Sequence, residues 1–245
     1  MRLLLGDCLQ VMKDLMPKSV DMILCDLPYG TTACKWDITI PFEALWFEYK
    51  RIIKSNGAVC LFGTEPFSSY LRMSNLKWFK YDWIWRKNKP TGFTNAKYRP
   101  LCSTEHISVF SKAPAAHGAK SPMKFFPQGL IIKNRTIKNS VSVGGIHIQA
   151  GTKTSLKGEY FQEFTHYPTN ILEYKNTETE KQHPTQKPVP LLEYLIKTYT
   201  NEDDTVMDNT MGSGSTGVAC KNLNRYFIGI EKDEKYFNVA QERLK

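Results

Sequence analysis

Residues 205–231, TVMDNTMGSGSTGVACKNLNRYFIGIE, decide the fold. A short apolar run ends at Asp208, a turn containing Gly212 and Gly214 follows, and a helical stretch leads to a second apolar run that ends at Glu231. This is the layout of a nucleotide-binding β-α-β unit. Glycine lets the backbone approach a ligand closely, and an acid at the tip of the second strand can accept hydrogen bonds from ribose hydroxyls.

The spacing of the glycines restricts the kind of ligand that this turn would bind. A G-x-G pattern at 212–214 without a third matched glycine is poorly suited to a dinucleotide pyrophosphate. It is better suited to a smaller ligand such as S-adenosylmethionine. A glycine turn that binds nothing is the alternative, and the acids on either side of it count against that interpretation.

The rest of the chain alternates between strand-like and helix-like segments. We predict strands at 2–6, 20–25, 58–62, 81–86, 106–112, 205–208 and 225–231, and helices at 9–16, 42–53, 188–199, 215–223 and 234–244. This alternation predicts an α/β fold with a mostly parallel twisted sheet and helices on both faces. Residues 113–182 have weak periodicity and scattered proline and glycine, which predicts a loop-rich insert with a few short strands.

Length and composition exclude several classes of protein. The 245 residues fit one large domain, or one domain with an insert, and 41% apolar with 23% charged residues argues against disorder, a fibrous repeat or a coiled coil. No apolar run approaches the ~18 residues of a membrane helix, and the apolar stretch at the start, MRLLL, is too short for a signal segment. We therefore expect a cytoplasmic protein.

The six cysteines are widely spaced. They are Cys8, Cys25, Cys34, Cys60, Cys102 and Cys220. None forms a C-x-x-C pair, and several lie in apolar runs, so we expect reduced, buried thiols and no metal site.

The positive charge is concentrated in one segment. The net charge is +9, and residues 86–138 hold eleven lysines and arginines but only one acid, Glu105. The remainder of the chain is therefore close to neutral. Such a segment favours a polyanionic partner, with a solvated basic surface as the alternative. Trp83 and Trp85 alternate with Ile84 beside this segment, which is typical of a half-buried strand.

A second motif, DLPYG at 26–30, follows the predicted strand 20–25. A carboxylate, a rigid proline turn and an aromatic ring lie together at the carboxyl end of a strand, where α/β proteins bind ligands. On these grounds alone, a simple strand-ending turn is the more common interpretation.

Together these motifs make the chain resemble the β-class of amino-methylating DNA methyltransferases, whose signatures are Asp/Asn/Ser-Pro-Pro-Tyr and Asp-x-Phe-x-Gly-x-Gly. The matching segments are DLPY at 26–29, DNTMGSG at 208–214, GDC at 6–8, HPTQKP at 183–188 and IGIE at 228–231. The resemblance covers 1–112 and 183–245 and implies that these form a Rossmann-like methyltransferase domain in circularly permuted order. It implies that 113–182 is an inserted target-recognition region.

Two departures from the family pattern stand out. Leu27 replaces the first proline of the tetrad, which should matter little if that residue presents a backbone carbonyl. Asn209 and Thr210 replace the usual Pro-Phe pair, and the loss of the phenylalanine is expected to change how the methionine part of the cofactor packs.

The resemblance implies transfer of a methyl group from S-adenosylmethionine to the N6 amino group of an adenine flipped out of double-stranded DNA. Asp26 and the Leu27 carbonyl would each accept one N–H of that group, Pro28 would hold the turn, and Tyr29 would stack on the base. Aspartate at the first tetrad position favours adenine. The alternatives are cytosine N4, RNA or a protein amide as the target, a non-catalytic nucleic-acid-binding relative, and a nucleotide-dependent oxidoreductase.

The family pattern also implies a set of cofactor-binding residues. They are Asp7, Cys8, Asp26, His183, Thr185, Lys187, Asp208, Thr210, Gly212, Ser213, Gly214 and Glu231. Asp7 and the Cys8 backbone would contact the adenine ring, Glu231 the ribose hydroxyls, and Asp208 the methionine part. The segment that ends near Lys187 would meet the methionine carboxylate.

The predicted DNA contacts come from the basic segment. They are Lys87, Lys89, Lys97 and Arg99 toward phosphates, and Lys133 and Arg135 in the insert toward base edges. No membrane partner is expected. Family resemblance also suggests a homodimer and a cognate restriction endonuclease as partners.

Overall fold

The computed structural model describes residues 1–31, 37–139, 158–176 and 186–245. The chain divides into two compact units, one formed by residues 1–126 with 170–245 and the other by residues 127–169. Cys34, His183 and Thr185 lie outside the described residues. Within the described ranges, no helix is long and apolar enough to cross a membrane, and no group of three or more His, Cys, Asp or Glu side chains could hold a metal ion.

The secondary structure consists of the following elements, in chain order. They are β1 Arg2–Leu5, α1 Cys8–Val11, β2 Val20–Cys25, α2 Phe42–Ile52, β3 Ile53–Gly63, α3 Phe67–Ser74, β4 Phe79–Thr91, β5 Cys102–Phe110, β6 Ile131–Asn139, β7 Gly158–Thr165, β8 Ile171–Tyr174, α4 Val189–Tyr199, β9 Thr205–Asp208, α5 Ser215–Asn222, β10 Tyr226–Glu231 and α6 Glu234–Leu244. Single 3₁₀ turns follow α1, at Met12–Asp14, and β4, at Phe93–Asn95.

The larger unit is built on one eight-stranded sheet with the order β1-β10-β9-β2-β3-β5-β4-β8. Its neighbouring strands are parallel except where β5 pairs with β3 and β4. The prediction of a mostly parallel sheet is therefore confirmed. In its centre, β2 and β9 pair directly, with Met22 opposite Val206 and Ile23 opposite Met207. This pairing puts the turns that follow Cys25 and Asp208 next to each other.

Helices cover both faces of this sheet, as predicted. Along β2, Met22 and Leu24 join an apolar cluster with α4, α5 and α6, whereas Ile23 and Cys25 join a second cluster with α1, α2 and α3. Side chains of a strand alternate between faces, so one strand supplies both cores. The central strands are thus buried on both sides, which holds their carboxyl ends rigidly in place.

The start of β3 differs from the prediction. We predicted a helix at 42–53 and a strand at 58–62, but α2 ends at Ile52 and β3 begins at Ile53, because Ile53 pairs with Val20 before a register shift in the ladder. Gly57 has a packing role within β3. A β-carbon at this position would lie 2.6 Å from the Asp21 carbonyl oxygen.

The five cysteines that the structure describes are free thiols. Burial was predicted correctly for Cys8, Cys25, Cys60 and Cys220 but wrongly for Cys102. Cys102 lies opposite Thr91 at the outer end of the β4–β5 ladder, where both strands are exposed.

The predicted insert is wider than the compact smaller unit. Within 113–182, the residues up to Phe126 belong to the larger unit, where the Phe126 amide donates to the Thr198 carbonyl oxygen at 2.7 Å. Strand β8 also belongs there, because it pairs with β4. The smaller unit contains β6 and β7, which form an antiparallel pair.

Candidate active site

A cavity of about 790 Å³ lies at the carboxyl ends of β2 and β9 in the larger unit. It is lined by both turns that the sequence singled out, and by the loops that follow β1 and β10. The acids Asp7, Asp26, Asp208 and Glu231 all border it, as does Lys187. The volume falls within the usual range for small-molecule and cofactor sites.

The turn after β2 holds Asp26 between two hydrogen-bond donors. The Tyr29 hydroxyl donates to Oδ1 at 2.6 Å, and the Lys187 ammonium donates to Oδ2 at 2.6 Å. The Tyr29 ring stacks on Phe67 with a centroid separation of 4.8 Å. Because a carboxylate oxygen has two acceptor positions, each oxygen of Asp26 can accept one further N–H.

Asp26 belongs to a network with a second carboxylate, Glu105. Lys187 Nζ lies 2.8 Å from Glu105 Oε1, Lys87 Nζ lies 2.9 Å from Glu105 Oε2, and the Tyr29 hydroxyl lies 3.1 Å from Glu105 Oε1. We call these five residues, Asp26, Tyr29, Lys87, Glu105 and Lys187, the Glu105 cluster. Two acids and two ammonium groups balance its charge, as burial of ionised groups requires.

The protonation states in the Glu105 cluster follow from burial and these ion pairs. Burial raises the pKa of Asp26, Lys187 opposes that shift, and Glu105 adds to it. Burial also works against ionisation of Glu105, but Lys187 and Lys87 lower its pKa to about 2. Lys187 has a raised pKa despite its burial, because it faces both carboxylates. The pKa of Tyr29 is well above its usual value, so Tyr29 remains a neutral donor.

Among the described residues, no cation pairs with the carboxylate in the turn after β9. Asp208 Oδ1 accepts from the Thr210 amide at 3.2 Å, and Oδ2 accepts from the Thr216 hydroxyl at 2.6 Å. Burial raises the pKa of Asp208 to about 6. Gly212 and Gly214 have φ angles of 52° and 78°, in the left-handed region that favours glycine.

Glu231 links the loops on this side of the cavity. Its Oε2 accepts from the Gly212 amide at 2.8 Å, and its Oε1 accepts from the Lys232 and Asp233 amides at 2.9 Å each. The Asp7 carboxylate caps α1 by accepting from the Leu9 amide at 3.0 Å. These acids therefore hold the surrounding backbone in place and also border the cavity, where they can meet hydroxyl or amino donors.

Thr210 connects the two turns. Its hydroxyl donates to the Asp26 carbonyl oxygen at 2.9 Å and lies 2.9 Å from Cys25 Sγ. Asn209 is buried, and its side-chain oxygen accepts from the Tyr49 hydroxyl. Asn209 and Thr210, which replace the usual Pro-Phe pair, thus have definite contacts in this fold.

The structure places the predicted site residues in three groups. Those in and around the two turns line one cavity, namely Asp7, Cys8, Asp26, Leu27, Pro28, Tyr29, Lys187, Asp208, Thr210, Gly212, Ser213 and Glu231. Gly214 is the N-cap of α5, and a β-carbon there would lie 3.0 Å from the Ala240 Cβ. Lys89, Lys97 and Arg99 are exposed in the larger unit, and Lys133 and Arg135 are exposed on β6.

Two lysines have partners that the sequence did not predict. Lys87, expected at a DNA phosphate, has only 10% of its side chain exposed and pairs with Glu105. Lys187, expected at the methionine carboxylate, pairs with Asp26 and Glu105. The Lys87 ammonium therefore faces the cavity in this structure, and its contact with a DNA phosphate stays a prediction.

Sequence reasoning missed two residues that shape the site. Glu105 was noticed only as the single acid of the basic segment, although an acid within an apolar strand is itself a signal of a buried pair. Asp37 had no signal in the sequence. Its carboxylate accepts from the Gly30 amide at 2.8 Å and the Thr31 amide at 2.9 Å, and so fixes the backbone after the tetrad.

Comparison with known proteins agrees with the geometry of the site. A family model described as DNA methylase, for the N6 and N4 methyltransferases, matches residues 20–242. The Type II methyltransferase M.HpaI of Haemophilus parainfluenzae is 28% identical, with 99% of this chain and 74% of that protein covered. M.HinfI of Haemophilus influenzae is also 28% identical, with 99% of this chain and 68% of that protein covered.

Solved structures share the fold over the whole chain. The crystal structure of the M1.HpyAVI complex with S-adenosylmethionine has a TM-score of 0.64 and 27% identity, and 99% of both chains is covered. The PvuII DNA methyltransferase, described as cytosine-N4-specific, has a TM-score of 0.67 and 16% identity, with 99% of this chain and 86% of that chain covered. The family model matches most of this chain, so this chain is a member of the amino-methylating DNA methyltransferases, which use S-adenosylmethionine.

Proposed function

We propose that this protein methylates the N6 amino group of adenine in double-stranded DNA, with Asp26 as the residue that holds the amino group. One observation carries the proposal. The turn with Asp26 and the turn with Gly212 end adjacent strands and line the same cavity, so an amino group at the first would face a methyl donor at the second.

The second turn and its neighbours fit the cofactor. S-adenosylmethionine, when bound, supplies an electrophilic methyl group on a sulfonium. We propose that Glu231 accepts hydrogen bonds from the ribose hydroxyls and that Asp7 with the Cys8 backbone contacts the adenine ring. Asp208 and the backbone at Gly212 would border the methionine part. His183 and Thr185 lie outside the described residues, and their role stays a prediction.

The residues of the first turn would prepare the nucleophile. An exocyclic amino nitrogen is weakly nucleophilic because its lone pair is delocalised into the ring. The Asp26 carboxylate and the Leu27 carbonyl each accept one N–H, which orients the nitrogen and stabilises the positive charge that develops on it. Asp26 is suited to this because Lys187 favours its ionised form, and Pro28 fixes the turn.

Tyr29 is proposed to support the flipped base. Extrusion from the duplex costs a few kcal/mol. Stacking on an aromatic ring returns about 1–3 kcal/mol. Phe67 packs behind the Tyr29 ring and restricts its movement, and the Tyr29 hydroxyl is tied to Asp26. The base platform and the amino acceptor are therefore parts of one rigid turn.

The DNA contacts come from outside the cavity. Lys89, Lys97 and Arg99 are exposed and suited to phosphate contacts, which contribute affinity without sequence information. Residues 113–182 remain our proposed target-recognition region, with Lys133 and Arg135 as donors toward base edges. Double-stranded DNA is the partner that these charges favour, and a homodimer or a cognate nuclease stays a prediction.

Cytosine N4 is the second candidate target. The fold is shared with a cytosine-N4-specific enzyme, so the architecture alone does not distinguish the two bases. The choice of adenine rests on aspartate rather than serine at the first tetrad position, position 26.

The test is transfer of labelled methyl groups from S-adenosylmethionine to unmethylated DNA of mixed sequence, followed by mass spectrometry of the nucleosides. We expect N6-methyladenine. N4-methylcytosine would overturn the assignment of the base and keep the amino-methylating role. If no nucleoside is labelled although the cofactor binds, the proposed DNA substrate is wrong.

A further inference from the structure

Glu105 is a buried carboxylate for which the DNA methyltransferase motifs give no role. It lies in the middle of β5, only 4% exposed, where it is opposite Trp85 in the ladder. No family motif quoted above includes it. Its two oxygens are nevertheless engaged by Lys187, Lys87 and Tyr29.

The geometry ties Glu105 to Asp26 through shared donors. The two donors that touch Asp26 are the Tyr29 hydroxyl and the Lys187 ammonium, each at 2.6 Å. Both also lie near Glu105 Oε1, at 3.1 and 2.8 Å. A single oxygen of Glu105 therefore holds both groups that fix the Asp26 carboxylate.

Charge balance explains why a second carboxylate is useful. With Asp26 as its single anionic partner, Lys187 would form a closed ion pair and weaken that carboxylate as an acceptor for a substrate N–H. Glu105 shares the Lys187 ammonium with Asp26, and Lys87 pairs with the other oxygen of Glu105. The surroundings are apolar, with Lys187 Nζ 5.1 Å from the centre of the Phe62 ring, so these interactions are little screened by water.

We propose that Glu105 is a positioning residue that holds Lys187 and Tyr29 against Asp26 and keeps the Asp26 carboxylate available to the target amino group. This role rests on the proposed function of Asp26. This role requires no contact of Glu105 with the base or the cofactor. Glu105 acts by orienting donors and by balancing the charge of Lys187.

The substitution Glu105→Gln tests this role, because it keeps the size of the side chain and removes its charge. Loss of the Glu105 charge leaves Lys187 to Asp26 alone and lowers the pKa of Asp26. We expect the acidic limb of the pH profile of the single-turnover rate to move to lower pH. The rate at its plateau should fall by about 10- to 100-fold, as expected for a misplaced catalytic group. The Kd of S-adenosylmethionine should change less than about threefold.

Matched variants separate this role from a general effect on folding. Glu173→Gln makes the same change on β8, at an exposed ion pair with Arg86, and should leave the rate unchanged. Glu105→Asp keeps the charge and should restore the wild-type position of the acidic limb. If Glu105→Gln does not fold, the double variant Lys87→Met with Glu105→Gln removes one charge of each sign and should show the same shift.

These measurements distinguish a wrong role for Glu105 from a wrong proposed function. An active wild type in which Glu105→Gln has an unchanged rate and acidic limb overturns the role of Glu105 alone. If the rate of Glu105→Gln falls, the acidic limb stays in place and cofactor binding weakens, then Glu105 has a merely structural role. This result also overturns the proposal. A wild type that methylates no DNA refutes the proposed function, and the role of Glu105 with it.

Discussion

Two neighbouring strands of one sheet end in aspartates with different surroundings. Asp26 follows β2, has 24% of its side chain exposed, and contacts the Lys187 ammonium. Asp208 ends β9, is 4% exposed, and accepts from neutral donors, the Thr216 hydroxyl and the Thr210 amide. Within the part of the chain that the structure describes, the same residue type at the same level of the sheet thus contacts a cation in one case and only neutral donors in the other.

This difference indicates that the turns after β2 and β9 have different roles. Burial raises the pKa of both carboxylates, but at Asp26 the Lys187 ammonium opposes this shift and favours the ionised form, which can orient an amino group. A carboxylate among hydroxyl and amide donors, with its pKa raised to about 6, is better suited to bracing a glycine turn. The two turns are nevertheless coupled, because Thr210 in the second donates to the backbone of the first.

Removal of the carboxylate that contacts Lys187 is expected to impair catalysis most strongly. Asp26→Ala should reduce the single-turnover rate of methyl transfer by about 10³-fold or more, since both orientation and charge stabilisation are lost. Cofactor binding should remain, as measured by calorimetry with S-adenosylmethionine. A variant that turns over near the wild-type rate would refute the role of Asp26.

On the cofactor side, Glu231→Ala should weaken binding of S-adenosylmethionine by about 10- to 100-fold, which corresponds to the loss of one or more hydrogen bonds to a charged group. Transfer should recover at high cofactor concentration, unlike in the Asp26 variant. Glu231→Gln serves as the control because it keeps one acceptor oxygen for the loop amides. An unchanged Kd in Glu231→Ala would remove this residue from the proposed cofactor site.

The raised pKa of Asp208 should make the free energy of unfolding depend on pH. The pKa of Asp208 is raised to about 6 in the folded protein from 3.8, so the folded state binds the proton more tightly and loses stability as the pH rises between those values. Between pH 5 and 7, the wild type should lose about 1 kcal/mol more than Asp208→Asn. Urea unfolding at the two pH values measures this difference, and parallel curves would contradict the assignment.

The smallest effect is expected at the link between the turns. Thr210→Val keeps the shape of the side chain and removes the hydroxyl that donates to the Asp26 carbonyl oxygen. Loss of about 1 kcal/mol of hydrogen bonding predicts a rate about fivefold lower. Thr198→Val, which removes a hydroxyl bond within α4, is the matched control. Equal rates in the wild type and Thr210→Val would mean that the turns work independently.

The sequence predicted the elements that depend on local pattern. The bounds of β2, β9 and α6 agree with the structure, because each is marked by a clear apolar period and a turn or cap. The short helix α3 and the edge strand β8 were missed. Their sequences, FSSYLRMS and ILEY, are too short to show a period.

The contacts of the site could not be predicted in the same way. Lys187 meets Asp26 across 161 positions of the chain, and Tyr29 meets Glu105 across 76. Those encounters depend on the order of strands in the sheet, which separates β5 from β2 by β3 alone, and on the packing of α4 against β2. The resemblance named Lys187 as a site residue but assigned it a different partner.

The most direct test is a crystal structure of the protein with its target DNA and an S-adenosylmethionine analogue that cannot donate a methyl group. We expect an adenine outside the duplex, with N6 within about 3 Å of the Asp26 carboxylate and the Leu27 carbonyl oxygen. The cofactor analogue should lie between Glu231 and the turn at Gly212. A target amino group that contacts neither Asp26 nor Leu27 would contradict the assignment of the first turn as the catalytic one.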